Sequence, residues 1–329
     1  MRIKPGGPLS YLTLSTKLAQ AAVTSWQAAF LPSRPVQIEN FGSNPGNLRM
    51  YLYAPPRLRA GRPLVVLLHG CGQSAGNFAT DAGWIALAQQ YRFALLLPEQ
   101  VRTNNHLGCF NWFQPGDVRS NSGEVLSIRQ MIRKAVKNYG SDPRQIFVAG
   151  FSAGGGMTAA LLAAYPALFA AAGIFAGMPV GSAHNGVGAL IKMRRAGSDH
   201  ERERLAREVI RGGKPRRKWP RVSIWQGGKD RTVDPQNAEV LAAQWSELQG
   251  YGPIATTTHT TPAYHYQSWG KPKKPPAVEL WTLPAMGHAV PIDSKKDIGS
   301  HPGAAAVADV GVSGPHLLAA FWGLKRPNA

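Results

Sequence analysis

Residues 142–166 read DPRQIFVAGFSAGGGMTAALLAAYP, and this stretch decides the predicted fold. RQIFVAG is an apolar run of strand length, GGMTAALLAAY is typical of a helix, and a glycine-flanked bend joins the two. The bend holds Gly150-Phe151-Ser152-Ala153-Gly154, which matches the pattern G-x-S-x-G. A direct turn from strand to helix strains the serine backbone and exposes the hydroxyl above the sheet. The pattern predicts a nucleophilic serine, and an ordinary turn serine in a glycine-rich bend is the alternative.

The same alternation of strands and helices runs along the chain on both sides of this stretch. Upstream, strands are predicted in NLRMYLYAPP, PLVVLLHG and RFALLLPEQ, and helices in GWIALAQQY and residues 123–139. Downstream, AAAGIFAGMP, RVSIWQG and VELWTLP are predicted strands, a helix starts at Pro235, and HLLAAFWGL is a closing helix. Strands that alternate with helices predict an α/β fold with a mainly parallel, doubly wound sheet and helices on both faces.

The domain organisation follows from this alternation of strands and helices. We expect residues 1–35 to be an N-terminal extension and residues 36–329 to form one domain. Apolar residues recur at helical spacing over residues 10–30, which predicts an amphipathic helix that docks on the domain, with a surface anchor as the alternative. Residues 193–221 contain ERERLARE and KPRRKWPR and are far more charged than their surroundings, which predicts a basic surface insertion.

Composition excludes several classes of protein. The chain has 329 residues, of which 44% are apolar and 17% charged, so it is neither disordered nor collagen-like. Two cysteines, Cys71 and Cys109, cannot build a disulfide scaffold, although they could form one bridge if the protein reaches an oxidising compartment, and the sequence leaves that open. No CxxC pair or His/Cys cluster indicates a metal site. Pro166 and several glycines interrupt the long apolar run at 153–180, so no membrane span is predicted.

The charge balance is strongly basic. Lys and Arg number 37 against 18 Asp and Glu, which gives a formal net charge of +19. One hypothesis is a nucleic-acid-binding protein with residues 193–221 as its electrostatic footprint, but the chain carries no recognised nucleic-acid-binding motif. The other is that this insertion, with the helix at 10–30, holds the protein on an anionic polymer or granule surface.

A neutral serine needs a base to accept its proton and an acid to orient that base. In the hydrolase version of this fold the chain order is serine, acid, histidine. Asp230 follows the strand RVSIWQG in a glycine-rich loop, and Asp234 is its rival. Because Asp234-Pro235 precedes a predicted helix, Asp234 is expected to cap that helix. The orienting acid is therefore assigned to Asp230.

His288 is the predicted base, because it follows the strand VELWTLP within PAMGHAVP. The other downstream histidines fit less well: they lie in a Thr/Tyr/Pro-rich stretch (His259, His265), in the closing helix (His316) or before the predicted acid (His184, His200). The alternative for His288 is a solvated loop histidine. Backbone N–H groups of Ala153 and Cys71 are the expected donors to an oxyanion, and an ordinary strand-exit turn is the alternative for the loop at Cys71.

Four motifs stand in an order that resembles the polyhydroxybutyrate depolymerase family of esterases. They are LHGCGQSAGNFATDAGWIALAQQYRFALLLPEQ, GCFNWFQP, GEVLSIRQMI and DPRQIFVAGFSAGGGMT, and the resemblance spans about residues 36–290. It implies an α/β-hydrolase catalytic domain without a cofactor, which hydrolyses carboxylic esters through an acyl-enzyme. It implies Ser152 as nucleophile, Asp230 as acid, His288 as base and Cys71 with Ala153 as the oxyanion loop. Trp112 matches an aromatic residue near the family's substrate groove, with a core tryptophan as the alternative.

Departures from the family pattern bear on the substrate. Gln226-Gly227 stands where relatives often have His-Gly, which we expect to matter little to the chemistry, and RSNSGE replaces a more glycine-rich loop. No polymer-binding module follows, which favours soluble oligomers, short esters or an intracellular granule. We predict poly- or oligo-3-hydroxybutyrate as substrate, with an acetylxylan or feruloyl esterase as the alternative and a serine peptidase less favoured. The N-terminus lacks a clear signal peptide and favours the cytoplasm, whereas proteins that resemble this family are often extracellular.

Overall fold

The computed structural model describes residues 34–196, 204–209 and 219–326. The helix predicted at 10–30 and most of the predicted basic insertion therefore lie outside the described residues. None of the helices in the described ranges is long and apolar enough to cross a membrane.

Within the described residues, ten strands form one sheet in the order β1-β2-β4-β3-β5-β6-β7-β10-β9-β8, and two short strands pair separately. The strands are β1 (Val36–Ile38), β2 (Arg49–Tyr53), β3 (Leu64–Leu68), β4 (Ala94–Glu99), β5 (Ile146–Phe151), β6 (Ala171–Phe175), β7 (Arg221–Gly227), β8 (Thr257–Thr260), β9 (His265–Trp269), β10 (Val278–Leu283), β11 (Val290–Ile292) and β12 (Val307–Asp309). From β4 to β10 along the sheet, neighbouring strands are parallel. The two edges, β1-β2 and β9-β8, are antiparallel.

Helices cover both faces of the sheet. They are α1 (Ala75–Asp81), α2 (Trp84–Tyr91), α3 (Pro115–Val118), α4 (Gly123–Tyr139), α5 (Ala153–Ala164), α6 (Gly186–Arg194), α7 (Gln236–Leu248) and α8 (Gly314–Trp322). Residues 204–209 are also helical. Side chains of α4, α5 and α7 share one apolar cluster, and those of α1, α2 and α8 share another. Alternate residues of β3 enter the two clusters, because successive strand side chains point to opposite faces. The predicted α/β architecture is confirmed.

The differences from the sequence prediction are local. The hairpin β8-β9 was missed because its residues are polar and carry no buried apolar run. α6 lies partly inside the stretch that was expected to be a charged insertion. In the described part of that insertion, Leu205, Ala206 and Val209 are buried. Gln244 of α7 donates a hydrogen bond to the Leu205 carbonyl, so residues 204–209 pack against α7. The prediction that this stretch lies wholly on the surface was therefore wrong for these residues.

Candidate active site

Ser152 occupies the turn between β5 and α5. Its backbone has φ 55° and ψ −118°, a conformation that costs a residue with a side chain about 1–3 kcal/mol. The turn is held by two backbone hydrogen bonds: Ser152 N–H donates to Phe175 O (2.8 Å) and Gly156 N–H donates to Ser152 O (3.0 Å). A Cβ on Gly150 would overlap the Gly154 carbonyl, so this close approach requires glycine. The chain thereby holds the Ser152 side chain at the carboxyl edge of the sheet.

His288 lies within hydrogen-bond distance of Ser152. Its Nε2 is 3.0 Å from Ser152 Oγ, and its Nδ1 is 2.7 Å from Asp230 Oδ2. Asp230 follows β7 and His288 follows β10, and these strands are parallel neighbours, so both loops leave the sheet at the same edge as Ser152. The structure therefore brings together the three side chains that the sequence assigns as nucleophile, base and acid.

Asp230 is fixed as a charged acceptor. Burial alone raises the pKa of its carboxyl, but the hydrogen bond and charge of His288, with the N–H groups of Val233 and Thr232, outweigh burial and lower the pKa below its usual range. The two N–H groups lie 2.9 and 2.8 Å from Oδ1, which leaves Oδ2 for the imidazole. An ionised Asp230 favours the tautomer with the proton on Nδ1, so that Nε2 is free to accept the serine proton.

Asp234 makes different contacts. Its carboxylate accepts a hydrogen bond from Gln236 N–H (3.0 Å), and Pro235 already has helical dihedral angles. This is the helix-capping arrangement expected of Asp-Pro. Of the rival histidines, His316 pairs with Asp297 and His265 with Thr260. His200 lies outside the described residues.

Gln226 lies against the acid, which the sequence did not anticipate. Its Nε2 is 3.0 Å from Asp230 Oδ2, the same oxygen that meets His288. The departure from His-Gly was expected to matter little to the chemistry, yet the side chain at this position directly contacts the proposed acid. The signal that was available is its position at the end of β7, four residues before Asp230.

The two predicted oxyanion donors are the residue that directly follows the serine and a residue of the loop after β3. Ala153 is the first residue of α5, where N–H groups have no acceptor within the helix and the helix dipole favours negative charge. Cys71 lies in the loop after β3, which is tightened by a hydrogen bond from Gly70 N–H to Gln73 Oε1 (2.8 Å). Both residues line the cavity that contains Ser152 and His288. This arrangement is suited to binding a developing negative charge.

Cys71 and Cys109 form a disulfide in the structure. The bridge ties the loop after β3 to the segment that carries Trp112. Trp112 lines the cavity and also belongs to the apolar cluster that α4 and α5 share, so it is part of the core and its contact with substrate stays a prediction. A Cβ on Gly156 would collide with the Trp112 ring, which shows how closely the ring packs on α5.

A buried glutamate contacts the segment that carries Cys109 and Trp112. Glu124 of α4 accepts hydrogen bonds from Gln100 Nε2 (2.5 Å) and from Asn111 N–H (3.0 Å). Gln100 also donates to Cys109 O (3.0 Å), and its own N–H donates to His69 Nε2 (3.1 Å). Through Gln100, the network therefore contacts both Cys109 and His69, which lies two residues before Cys71. The sequence did not indicate this network, because a glutamate in the first turn of a helix is usually solvated.

The cavity has a volume of about 750 Å³ and its wall is mostly apolar. The apolar side chains that line it include Leu107, Trp112, Phe113, Phe151, Met178, Val187, Leu190, Met193 and Val233. Such a wall suits an aliphatic or aromatic acyl group next to the serine. In the described ranges, no group of three or more His, Cys, Asp or Glu is placed to hold a metal ion.

Comparison with known proteins identifies relatives over most of the chain. The family model described as "Esterase PHB depolymerase" matches residues 48–262. Poly(3-hydroxyalkanoate) depolymerase C of Paucimonas lemoignei is 35% identical over 88% of this chain and 70% of that protein. Feruloyl esterase B of Talaromyces funiculosus is 29% identical over 78% of this chain and 73% of that protein. The structure of the acetyl xylan esterase from Aspergillus awamori matches with a TM-score of 0.71 and 27% identity, over 80% of this chain and 97% of that one.

We predict that Glu124→Gln changes the pH dependence of stability. Burial, and secondarily Asp117, raise the pKa of Glu124 to about 8. Between pH ~4.5 and ~8 the unfolded chain has lost this proton and the native chain retains it, so the free energy of unfolding falls as pH rises, by about 5 kcal/mol in total. Urea unfolding at pH 5, 7 and 9 should show that Glu124→Gln becomes more stable relative to the parent as the pH rises.

Glu39→Gln is the matched control, because Glu39 is exposed and hydrated in both states. Its stability relative to the parent should stay constant over the same pH range. A constant difference for Glu124→Gln as well would contradict the burial of a protonated Glu124.

Proposed function

The chain belongs to the polyhydroxybutyrate depolymerase family of esterases and is a carboxylic ester hydrolase, and on that premise we propose that it cleaves poly- or oligo-3-hydroxybutyrate, or related short-chain esters, at Ser152. The observation that carries this proposal is the hydrogen-bonded series from Ser152 through His288 to Asp230 at the wall of an apolar cavity. Relatives that act on esters support the same chemistry.

The proposed reaction begins when Ser152 Oγ attacks the ester carbonyl carbon and its proton passes to His288 Nε2. The carbonyl oxygen becomes negatively charged and is bound by the N–H groups of Ala153 and Cys71. The tetrahedral intermediate collapses, the ester C–O bond breaks, and the departing alcohol takes the proton from His288. Water then attacks the acyl-enzyme by the same route and releases the acid, and Asp230 stabilises the imidazolium in both steps.

The cavity wall favours an aliphatic hydroxy acid over a sugar. Most of the wall is apolar: side chains such as Met178, Val187 and Leu190 offer no hydrogen bonds to sugar hydroxyls, whereas they can pack on the methyl groups of a 3-hydroxybutyrate chain. The lining also holds the polar side chains of Gln73, Asn105 and Thr232. The depolymerase relative supports this choice. The second candidate is an acetylxylan or feruloyl esterase, which the similarity to the Aspergillus awamori structure favours.

We propose that residues 1–35 are an extension of the domain at 36–329, and that together with the basic insertion 193–221 they hold the enzyme on an anionic polymer or granule surface. The net charge of +19 and the exposure of Arg194 and Arg195 support it. The esterase relatives weigh against the nucleic-acid-binding alternative.

We predict that Asp230→Asn lowers kcat for p-nitrophenyl butyrate by about 10⁴, because an asparagine no longer holds the reactive tautomer of His288. Asp234→Asn is the matched control, since asparagine caps helices as well as aspartate does. Its kcat and its melting temperature should stay close to those of the parent. Equal losses of kcat at the two positions would remove Asp230 from its proposed role.

Substrate choice is tested by comparing kcat/KM for a 3-hydroxybutyrate trimer, acetylated xylan and methyl ferulate. We expect the trimer to be preferred by at least about tenfold, because each buried apolar group contributes about 1–3 kcal/mol to discrimination. Ser152→Ala should abolish hydrolysis of all three, which controls for contaminating esterases. A preference for acetylated xylan would establish the second candidate.

A further inference from the structure

Of the seven large apolar side chains that the described residues expose, three line the cavity and a fourth lies next to one of these three on the same helix. Val187, Leu190 and Ile191 of α6 each leave between 57% and 70% of their surface exposed. Because they are spaced three and four residues apart, they share one face of the helix. Leu107, 67% exposed, comes from a separate loop and lines the same cavity as Val187, Leu190 and Ser152. We call these four side chains the mouth face.

The helix that carries most of the mouth face is firmly anchored. Ala189 is buried, and the Asn185 side chain caps the helix by accepting a hydrogen bond from Gly188 N–H (2.8 Å). At the other end, Asp234 N–H donates to Met193 O (2.7 Å) and Asn237 Nδ2 donates to Lys192 O (3.0 Å). Hydrogen bonds at both ends of α6 therefore fix the helix with its apolar face exposed to solvent. Contiguous exposed apolar surface of this kind marks an interaction site.

We propose that the mouth face is an adsorption surface for a solid aliphatic polyester, an inference that rests on the proposed function. Three of its side chains belong to the mostly apolar wall of the cavity that contains Ser152, so a chain lifted from the solid can reach the serine along mainly apolar side chains. Exposed Arg194 and Arg195 follow directly, and they complement the carboxylate ends that hydrolysis leaves on a polyester surface. A polysaccharide surface would require hydrogen-bonding groups, which these four side chains lack.

Adsorption is tested with Ile191→Gln, because Ile191 belongs to the mouth face but does not line the cavity. Glutamine retains helix propensity and removes the apolar side chain. In a Ser152→Ala background, which prevents hydrolysis, binding to polyhydroxybutyrate powder should weaken about fivefold. The effect should persist in 1 M salt, since apolar contacts are not screened. In the otherwise unchanged enzyme, Ile191→Gln should leave p-nitrophenyl butyrate hydrolysis within twofold.

The matched control is Ile254→Gln, which removes an 82% exposed isoleucine outside the cavity lining. It should change neither adsorption nor hydrolysis. The proposal is overturned if Ile191→Gln adsorbs like the parent, or if the protein adsorbs to insoluble xylan more strongly than to polyester. It is also overturned if Ile191→Gln turns a dimer into a monomer, because the mouth face would then be a contact between two copies of the chain. Failure of the proposed function would differ: adsorption would remain while the wild type left hydroxybutyrate oligomers intact.

Independently, we infer that Gln226 is a positioning residue for Asp230. Its Nε2 is surrounded by acceptors: Asp230 Oδ2 at 3.0 Å, Val233 O at 3.3 Å and Gly227 O at 3.4 Å. This fixes which end of the amide faces the carboxylate. Together with His288 and the N–H groups of Thr232 and Val233, it gives the carboxylate four donors, two on each oxygen. The plane of the carboxylate is thereby set toward His288 Nδ1.

The amide oxygen of Gln226 indicates that the main contribution of this residue is not to the stability of the protein. The side chain is buried, and among the described residues its Oε1 has no hydrogen-bond partner. An unpaired buried amide oxygen costs free energy that an apolar residue would avoid. The contact with Asp230 is therefore the feature that distinguishes glutamine from leucine here.

Gln226→Leu should lower kcat for p-nitrophenyl butyrate about tenfold and leave KM within twofold, because Gln226 acts through Asp230 and does not line the cavity. Gln226→His, which restores a donor, should recover most of kcat. Gln244→Leu is the control for loss of a buried glutamine: its side chain bonds Val180 and Leu205, so it should lower the melting temperature and leave kcat unchanged. A fall in melting temperature without a change in kcat for Gln226→Leu, or no recovery with histidine, would contradict the positioning role.

Discussion

The site depends on one backbone constraint, the turn at which β5 becomes α5. Ser152 adopts a positive φ that a side chain disfavours, and the surrounding sheet has to hold it there. Gly150 and Gly154 allow the close approach, because a Cβ on either would strike main-chain carbonyls. The hydrogen bond from Ser152 N–H to Phe175 O ties the turn to β6. The strain is thus offset by buried parallel strands on both sides, and it places Oγ and the first N–H of α5 next to one another.

The remaining groups reach the turn because parallel strands end at a common edge. β7 and β10 deliver Asp230 and His288 to that edge, and two buried polar groups hold the loops in place. On one side Gln226 and two backbone N–H groups orient Asp230. On the other, Glu124 and Gln100 hold the segment of Cys109, which the disulfide ties to Cys71. Three side chains of the apolar mouth face line the same cavity as Ser152 and His288, and most of that face is carried by α6, which is separate from the strands that hold these two residues.

Much of this architecture could be predicted from the sequence, because it rests on strong local signals. Continuous apolar runs predicted the central strands, and the helix predicted at 123–139 is α4 with the same bounds. The α/β-hydrolase fold and the esterase family are confirmed. Chain order and strand exits were sufficient to choose Asp230 and His288, which the structure brings to Ser152, although their catalytic roles remain proposals. The hairpin β8-β9 was not predicted because its residues are polar. The Gln226 contact depends on how the loop after β7 turns back toward the strand, although Asp230 is only four residues away. The burial of Glu124 depends on Gln100 and Asn111, which are 24 and 13 residues away in the sequence.

The central claim is that Ser152 is the nucleophile activated by His288, and covalent labelling tests it most directly. After treatment with a fluorophosphonate, mass spectrometry of the digested protein should show one adduct per chain, on the peptide that contains Ser152. His288→Ala should slow labelling by about a thousandfold, because the serine then lacks its base. An adduct on another residue, or labelling of Ser152 at an unchanged rate in His288→Ala, would contradict the account.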